Sequence, residues 1–237
     1  MTGPGARATR VAQPGRAPTR SELCFYAVVR ALVVGFCRLY WRETIDGRER
    51  VPDGPFVLAP VHRSNIDTPL VAVVTRRRIR YMGKETVWKY RLPGQILSAL
   101  GGFPVRRGSA DREALRRCVE VLKGGEPLVL FPEGTRQSGP EVRPLFEGAA
   151  YLSVRTGVPI VPVGIGGSER AMPKGARMLR PVKVHLVVGQ PLYPESSNEE
   201  SSQGRTGRAS RRAVHELTER LHKELQRVFD EARDEVA

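Results

Sequence analysis

A histidine and an aspartate stand five residues apart in His62-Arg63-Ser64-Asn65-Ile66-Asp67. Imidazole is the side chain best suited to take a proton near neutral pH. A carboxylate bonded to the far ring nitrogen fixes the tautomer and stabilises the imidazolium that forms. Such a pair can activate an alcohol, too weak an acid to attack a thioester quickly unless a base removes its proton. The spacing alone fits two plainer uses equally well. His62 could be a strand-end histidine, and Asp67 a helix cap ahead of Thr68-Pro69.

Three further segments have chemistry in them. Phe131-Pro132-Glu133-Gly134-Thr135-Arg136 combines a glycine that allows close backbone approach, a hydroxyl and a planar guanidinium fork, a set suited to phosphate. Glu133 is the odd member: its charge repels phosphate unless it pairs with a cation or bonds a substrate hydroxyl. The plainer alternative is a strand-end turn with a local Glu–Arg pair. Gly102-Phe103-Pro104-Val105-Arg106-Arg107 ends in two guanidiniums, of which alternation along an extended chain sends one to a shared site. Val158-Pro159-Ile160-Val161-Pro162-Val163 brackets an apolar strand with prolines and suits a structural wall.

Elements must position these groups. Residues 56–61, 79–82, 103–105, 128–131, 160–165 and 182–188 read as strands, with helices near 69–75, 92–100, 111–122 and 145–155. Asp111 suits the cap of the third of these helices, and Gly124 with Gly125 its stop. Strands alternating with ten-residue helices predict an α/β fold, a mixed and largely parallel sheet covered by helices. His62, Arg107 and Glu133 each follow a strand, where ligands of open α/β sheets collect.

The flanks differ. Residues 1–20 carry four arginines and no acid and read as a disordered basic arm. Residues 21–42 hold the most hydrophobic stretch, interrupted by Arg30 and Arg38 and closed by Tyr40-Trp41-Arg42. Its apolar run, 23–41, makes a helix about 28 Å long, barely enough to span a bilayer. The arginines favour a helix lying at the membrane surface, with a buried core helix as the alternative. No small-residue cleavage site follows, against a secretory signal. Residues 43–192 form the expected catalytic domain and 193–210 a polar linker. In 211–237, Val214, Leu217, Leu221, Leu225, Val228 and Phe229 make a stripe that packs back on the domain.

The 237 residues hold 39 Lys and Arg against 25 Asp and Glu, a net charge of +14. That surplus suits anionic partners such as a lipid surface, phosphorylated substrates or an acidic carrier. A nucleic-acid module is disfavoured, since aromatics are few and no basic–aromatic interleaving occurs. Arg76, Arg77, Arg78 and Arg80 are one candidate surface for the carrier, or equally a solvated loop or a contact to anionic lipid. Cys24, Cys37 and Cys118 match no metal site, and an odd count fits a reducing compartment.

In this order the His-x4-Asp, Phe-Pro-Val-x-Arg, Phe-Pro-Glu-Gly-Thr-Arg and Val-Pro-Ile-Val-Pro-Val segments resemble the four motifs of glycerolipid acyltransferases, most nearly the bacterial 1-acylglycerol-3-phosphate acyltransferases. The resemblance spans about residues 43–192 and includes Met82-Gly83-Lys84-Glu85. It implies His62 as base and Asp67 as its partner. It places Arg107, Glu133, Gly134, Thr135, Arg136 and Lys84 at the acceptor, and Pro159 and Pro162 on the donor side or the wall. It implies transfer from acyl-CoA or an acyl carrier protein thioester to a lysophospholipid hydroxyl, giving phosphatidic acid. No acyl-enzyme, metal or bound cofactor is expected. The expected location is the cytoplasmic face of the cell membrane, peripheral or monotopic. Arg106, and Val61 before the histidine, depart from the family pattern and leave other acceptors open, glycerol 3-phosphate or another lysolipid. A non-catalytic lipid-binding relative is disfavoured because both His62 and Asp67 are present.

Overall fold

A computed structural model describes residues 18–105, 112–173, 175–195 and 211–237, with Lys84, Val87, Arg91 and Pro93 described by their backbone alone. Arg107, Asp111, most of the linker and most of the basic arm lie outside the described residues.

Helix α1 (Arg20–Tyr40) opens with a capping box between Thr19 and Glu22. It is followed by β1 (Thr44–Asp46), β2 (Val57–Pro60), the short α2 (Asp67–Leu70), β3 (Arg80–Lys84), α3 (Arg91–Ala99), β4 (Gly102–Val105), α4 (Arg112–Lys123) and β5 (Leu128–Val129). Then come α5 (Gly148–Thr156), β6 (Ile160–Gly166), α6 (Ser168–Ala171), β7 (His185–Val188) and α7 (Arg211–Asp234). The seven strands make one sheet in the order β1-β7-β6-β2-β5-β3-β4. Strands β6, β2, β5, β3 and β4 are mutually parallel, while β7 runs antiparallel to β6 and parallel to β1. The expected mixed, largely parallel α/β sheet is therefore present.

Period-two alternation sorts the core onto the two sheet faces. Phe56 and Leu58 point into one cluster with Trp41, Val161, Val163 and Phe229, while Val57 and Ala59 point into another with Cys118, Leu122 and Ile160. Both β2 and β6 are buried throughout, as parallel strands covered on both faces must be. Helix α7 closes the structure as its stripe predicts: Val214, Leu217, Leu221, Leu225, Val228 and Phe229 are all buried. It lies directly on β6, so close that a Cβ at Gly164 would sit 2.0 Å from the Val228 carbonyl oxygen, and one at Gly166 1.9 Å from that of Ala232.

Helix α1 joins both readings of its sequence. Tyr26, Val34 and Cys37 are buried, and Trp41 just beyond its end is 2 % exposed. Phe25, Val28, Leu32, Phe36 and Leu39 recur every three or four residues on the opposite, exposed face. The helix is long and apolar enough to cross a membrane. One side nonetheless belongs to the core.

Candidate active site

Strand β2 ends at Pro60, and the chain turns sharply through 62–66 into α2. That turn brings the His62 Nδ1 and Asp67 Oδ2 atoms to 2.9 Å. Asp67 does not act as a side-chain helix cap. Its carboxylate turns back, and the same Oδ2 accepts the backbone N–H groups of Arg63 and Ser64, each at 2.7 Å. An oxygen already taking two N–H donors accepts from the ring as well, so Nδ1 carries a proton, and Nε2 has no hydrogen-bond partner among the described residues. Asp67 is fully buried, whereas the His62 side chain keeps 17 % of its surface open to solvent. The ring stacks on Phe131 at 4.1 Å between centroids, which fixes its plane.

Glu133 finds a partner other than the local Arg136. Arg63 Nη1 donates to Glu133 Oε2 at 2.7 Å and Oε1 at 2.8 Å, both side chains buried. The His62 backbone N–H donates to Oε2 at 3.0 Å, and that of Arg143 to Oε1 at 3.2 Å. These contacts occupy the roughly four lone-pair positions of a carboxylate. Glu133 therefore ties the turn after β5 to the turn that carries the histidine. Gln137 N–H donating to the His62 carbonyl at 2.8 Å is a second tie between the same segments.

Arg63 is anchored in turn by α7. Its guanidinium lies 4.7 Å over the Phe229 ring, a stacking geometry favourable to Arg. Its Nη2 donates to the Glu141 carbonyl at 3.0 Å, within a loop that α7 also holds, since Gln226 accepts from Val142 N–H at 2.7 Å. Arg63, Phe131 and Phe229 were not among the sequence candidates. The available signal was the arginine beside His62 and a glutamate out of place among phosphate-binding types.

Gly134, Thr135 and Arg136 remain on the rim. Gly134 sits at φ +69°, a left-handed conformation that a side chain would strain, and a Cβ there would run into Phe146. Thr135 is exposed, and Arg136, half-buried, has no hydrogen-bond or ion-pair partner among the described residues, which leaves its guanidinium available. Lys84 ends β3, at the same end of the sheet as His62 and Glu133; its side chain lies outside the description. Among the described residues no group of His, Cys, Asp or Glu is arranged to hold a metal ion.

The arginines of 76–80 do not form the exposed surface considered for a carrier. Arg78 and Arg80 are 8 % and 1 % exposed and both face Glu126, at 3.7 and 3.1 Å. Arg77 donates to the carbonyls of Asp53, Gly54 and Gly125, and Arg76 alone is exposed. Arg76, Arg77 and Arg78 precede β3 and Arg80 opens it, at the strand ends away from His62.

A family model described as Acyltransferase matches residues 42–166. The chain belongs to the acyltransferase family. This acyltransferase is 28 % identical over 159 residues to a chloroplastic 1-acyl-sn-glycerol-3-phosphate acyltransferase, BAT2, of Brassica napus, covering 65 % of the chain and 46 % of that protein. It is 29 % identical over 151 residues to the 1-acyl-sn-glycerol-3-phosphate acyltransferase of Bacillus subtilis, covering 63 % and 73 %. The match thus spans about half the length of the plant relatives and more of the bacterial one. The crystal structure of the 1-acyl-sn-glycerophosphate acyltransferase PlsC from Thermotoga maritima superposes with a TM-score of 0.65 at 27 % identity, covering 88 % of this acyltransferase and 84 % of PlsC.

Proposed function

We propose that this acyltransferase moves a fatty acyl group from a thioester, acyl-CoA or acyl carrier protein, to the free hydroxyl of 1-acylglycerol 3-phosphate, giving phosphatidic acid. The observation that carries the reading is the buried Asp67 carboxylate 2.9 Å from Nδ1 of a partly exposed His62. Nε2 takes the hydroxyl proton as the oxygen attacks the thioester carbonyl. Asp67 holds Nδ1–H and stabilises the imidazolium. The tetrahedral intermediate collapses, the C–S bond breaks, and the departing thiolate receives the proton from Nε2. Transfer is direct, without an acyl-enzyme. Cys118 is buried, which pushes its thiol up to about 12, and Cys24 and Cys37 lie on α1.

Arg136 and Arg107 bind the acceptor phosphate, joined by Lys84, with Gly134 and Thr135 shaping the rim. Glu133 serves by holding His62 and Arg63. An apolar cavity of about 330 Å³ lies between α1 and the sheet, walled by Val29, Val33, Met82 and Leu97 and by Thr68 and Pro69, next to Asp67 in the chain. That lining suits an acyl chain. The exposed apolar face of α1 rests on the cytoplasmic leaflet of the cell membrane as a peripheral or monotopic anchor. The test is an acyl-transfer assay with 1-acylglycerol 3-phosphate, glycerol 3-phosphate and other lysolipids, using both thioester types. His62→Ala should lower transfer by about 100-fold or more with vesicle binding intact. Equal activity of variant and wild type would refute the base.

A further inference from the structure

We propose that the segment leading into β7, residues 175–183, is a second membrane contact, which rests a basic and apolar surface on an anionic leaflet at the catalytic end of the sheet. Strand β6 runs parallel to β2, whose end carries the histidine turn, and β7 runs back antiparallel to β6. Residues just before β7 therefore lie at the end of the sheet where His62 stands. Shortly before this segment, the Met172 carbonyl accepts the hydroxyl of Ser64, inside the histidine turn, at 2.8 Å. The segment itself meets the end of α1. Tyr40 donates its hydroxyl to the Leu179 carbonyl and Trp41 its Nε1–H to the Arg180 carbonyl, each at 3.1 Å.

The backbone here is tied down while the side chains are left out. Arg180 N–H donates to the Ala171 carbonyl at 2.8 Å, and Ala176 N–H to that of Pro173 at 2.9 Å. Yet Met178 is 80 % exposed, and Leu179 beside it is exposed as well. They continue a larger apolar surface. Phe36 and Leu39, on the exposed side of α1, flank Tyr40, and the Phe36 ring stacks on that of Tyr40 with centroids 5.2 Å apart. The apolar side of the helix thus runs through Tyr40 onto Leu179. A contiguous exposed apolar patch marks an interaction surface.

Charge selects the partner. Residues 175–183 hold three cations, Arg177, Arg180 and Lys183, and no acid. Lys183 pairs with Glu235, but the side chains of Arg177 and Arg180 are exposed and meet no acceptor among the described residues. On an anionic bilayer the apolar groups enter the acyl boundary while the guanidiniums stay with the phosphates. An acidic carrier protein could use the same cations, but it would leave the adjoining face of α1 uncovered. The inference rests on the reading of α1 as a membrane anchor. It adds a contact that turns the His62 end of the sheet towards the lipid from which an acyl-bearing acceptor arrives.

Flotation of the full chain with phosphatidylglycerol vesicles tests it. Arg177→Glu with Met178→Asp should lower partitioning about tenfold, and Met178→Leu should retain it. Transfer to a soluble, short-chain acceptor should persist in both. On vesicles with brominated acyl chains, Met178→Trp should add a quenched fluorescence to that of the buried Trp41 and Trp88. Leu32→Asp with Phe36→Asp separates the two contacts. Should that pair abolish flotation while the double variant at 177 and 178 floats like wild type and the Met178→Trp signal stays unquenched, the proposal falls and the anchor stands. Wild-type protein that does not float at all removes both. Unchanged flotation, with the KM for an acyl carrier protein thioester raised in the double variant, would make this a carrier surface and overturn the lipid assignment.

Discussion

Glu133→Gln separates a residue that holds the catalytic turn from one that touches the acceptor. Glutamine keeps the shape and one acceptor oxygen, but its amide nitrogen must face either the His62 N–H and Arg63 Nη1 or the Arg143 N–H and Arg63 Nη1. Two donors then oppose each other in a buried place. The Arg63 guanidinium, 1 % exposed, also loses its counter-charge. Breaking one side of a buried pair costs about 3–5 kcal/mol, and the retained oxygen places this case near the lower figure, about 3 kcal/mol. For a chain of this size each kcal/mol moves the midpoint by about 2–4 °C, so Tm should fall by about 6–12 °C. His62 is held by the same carboxylate through its backbone, and a displaced base costs about 10- to 100-fold in kcat. The acceptor KM should stay within about threefold, since no substrate contact is removed. Scanning calorimetry and steady-state kinetics with varied acceptor give all three numbers. An unchanged Tm and kcat with acceptor KM raised about tenfold or more would return Glu133 to the acceptor and refute the reasoning.

Asp67→Asn should lower kcat by about 100-fold or more, because a neutral amide in place of the carboxylate no longer stabilises the imidazolium charge; full activity would refute the pair. Leu32→Asp with Phe36→Asp, both exposed on α1, should lower partitioning to anionic vesicles about tenfold or more without loss of fold, and unchanged flotation would count against the anchor. Removing residues 1–42 is a poorer test, since it also takes away buried Cys37 and Trp41. Burial holds the His185 imidazole below its ordinary value, opposed by Asp46 and Glu235. A depressed folded value means stability that is complete above the unfolded pKa of about 6.5 and is lost as the pH falls through the folded one. His185→Gln should flatten Tm against pH across that window; an equally steep profile would exclude this histidine as the source.

Much of the site was legible because its parts are close in sequence or punctuated by strand ends. Five residues and a turn suffice to join His62 to Asp67, and the apolar runs at 56–61 and 160–165 could only be buried strands. What escaped depends on distant partners. Glu133 was expected at the acceptor, with a local arginine pair as the alternative, yet its cation is 70 positions away, and adjacency of Arg63 to His62 carried no sign of which side chain it would meet. Four arginines at 76–80 read as a surface because charge usually stays out; their burial depends on Glu126 and on carbonyls from other loops. β1 was missed because three residues with one apolar member, Ile45, have no pattern, and its place is set by pairing with β7. The helix at 20–40 carries apolar residues on both sides, and composition cannot assign which side meets protein.

The glycines at 164 and 166 give the C-terminal helix a consequence for anyone trimming this enzyme. Residues 42–166 are what the family model matches, and a minimal version cut to that segment would bare two patches of backbone on β6 and would remove Leu225, Val228 and the ring that Arg63 leans on. Such a truncation would lose the ring under Arg63, the neighbour of the proposed base. By the same logic, swapping either glycine for alanine works as a remote brake, lifting a helix so that chemistry slows on the far side of the strand.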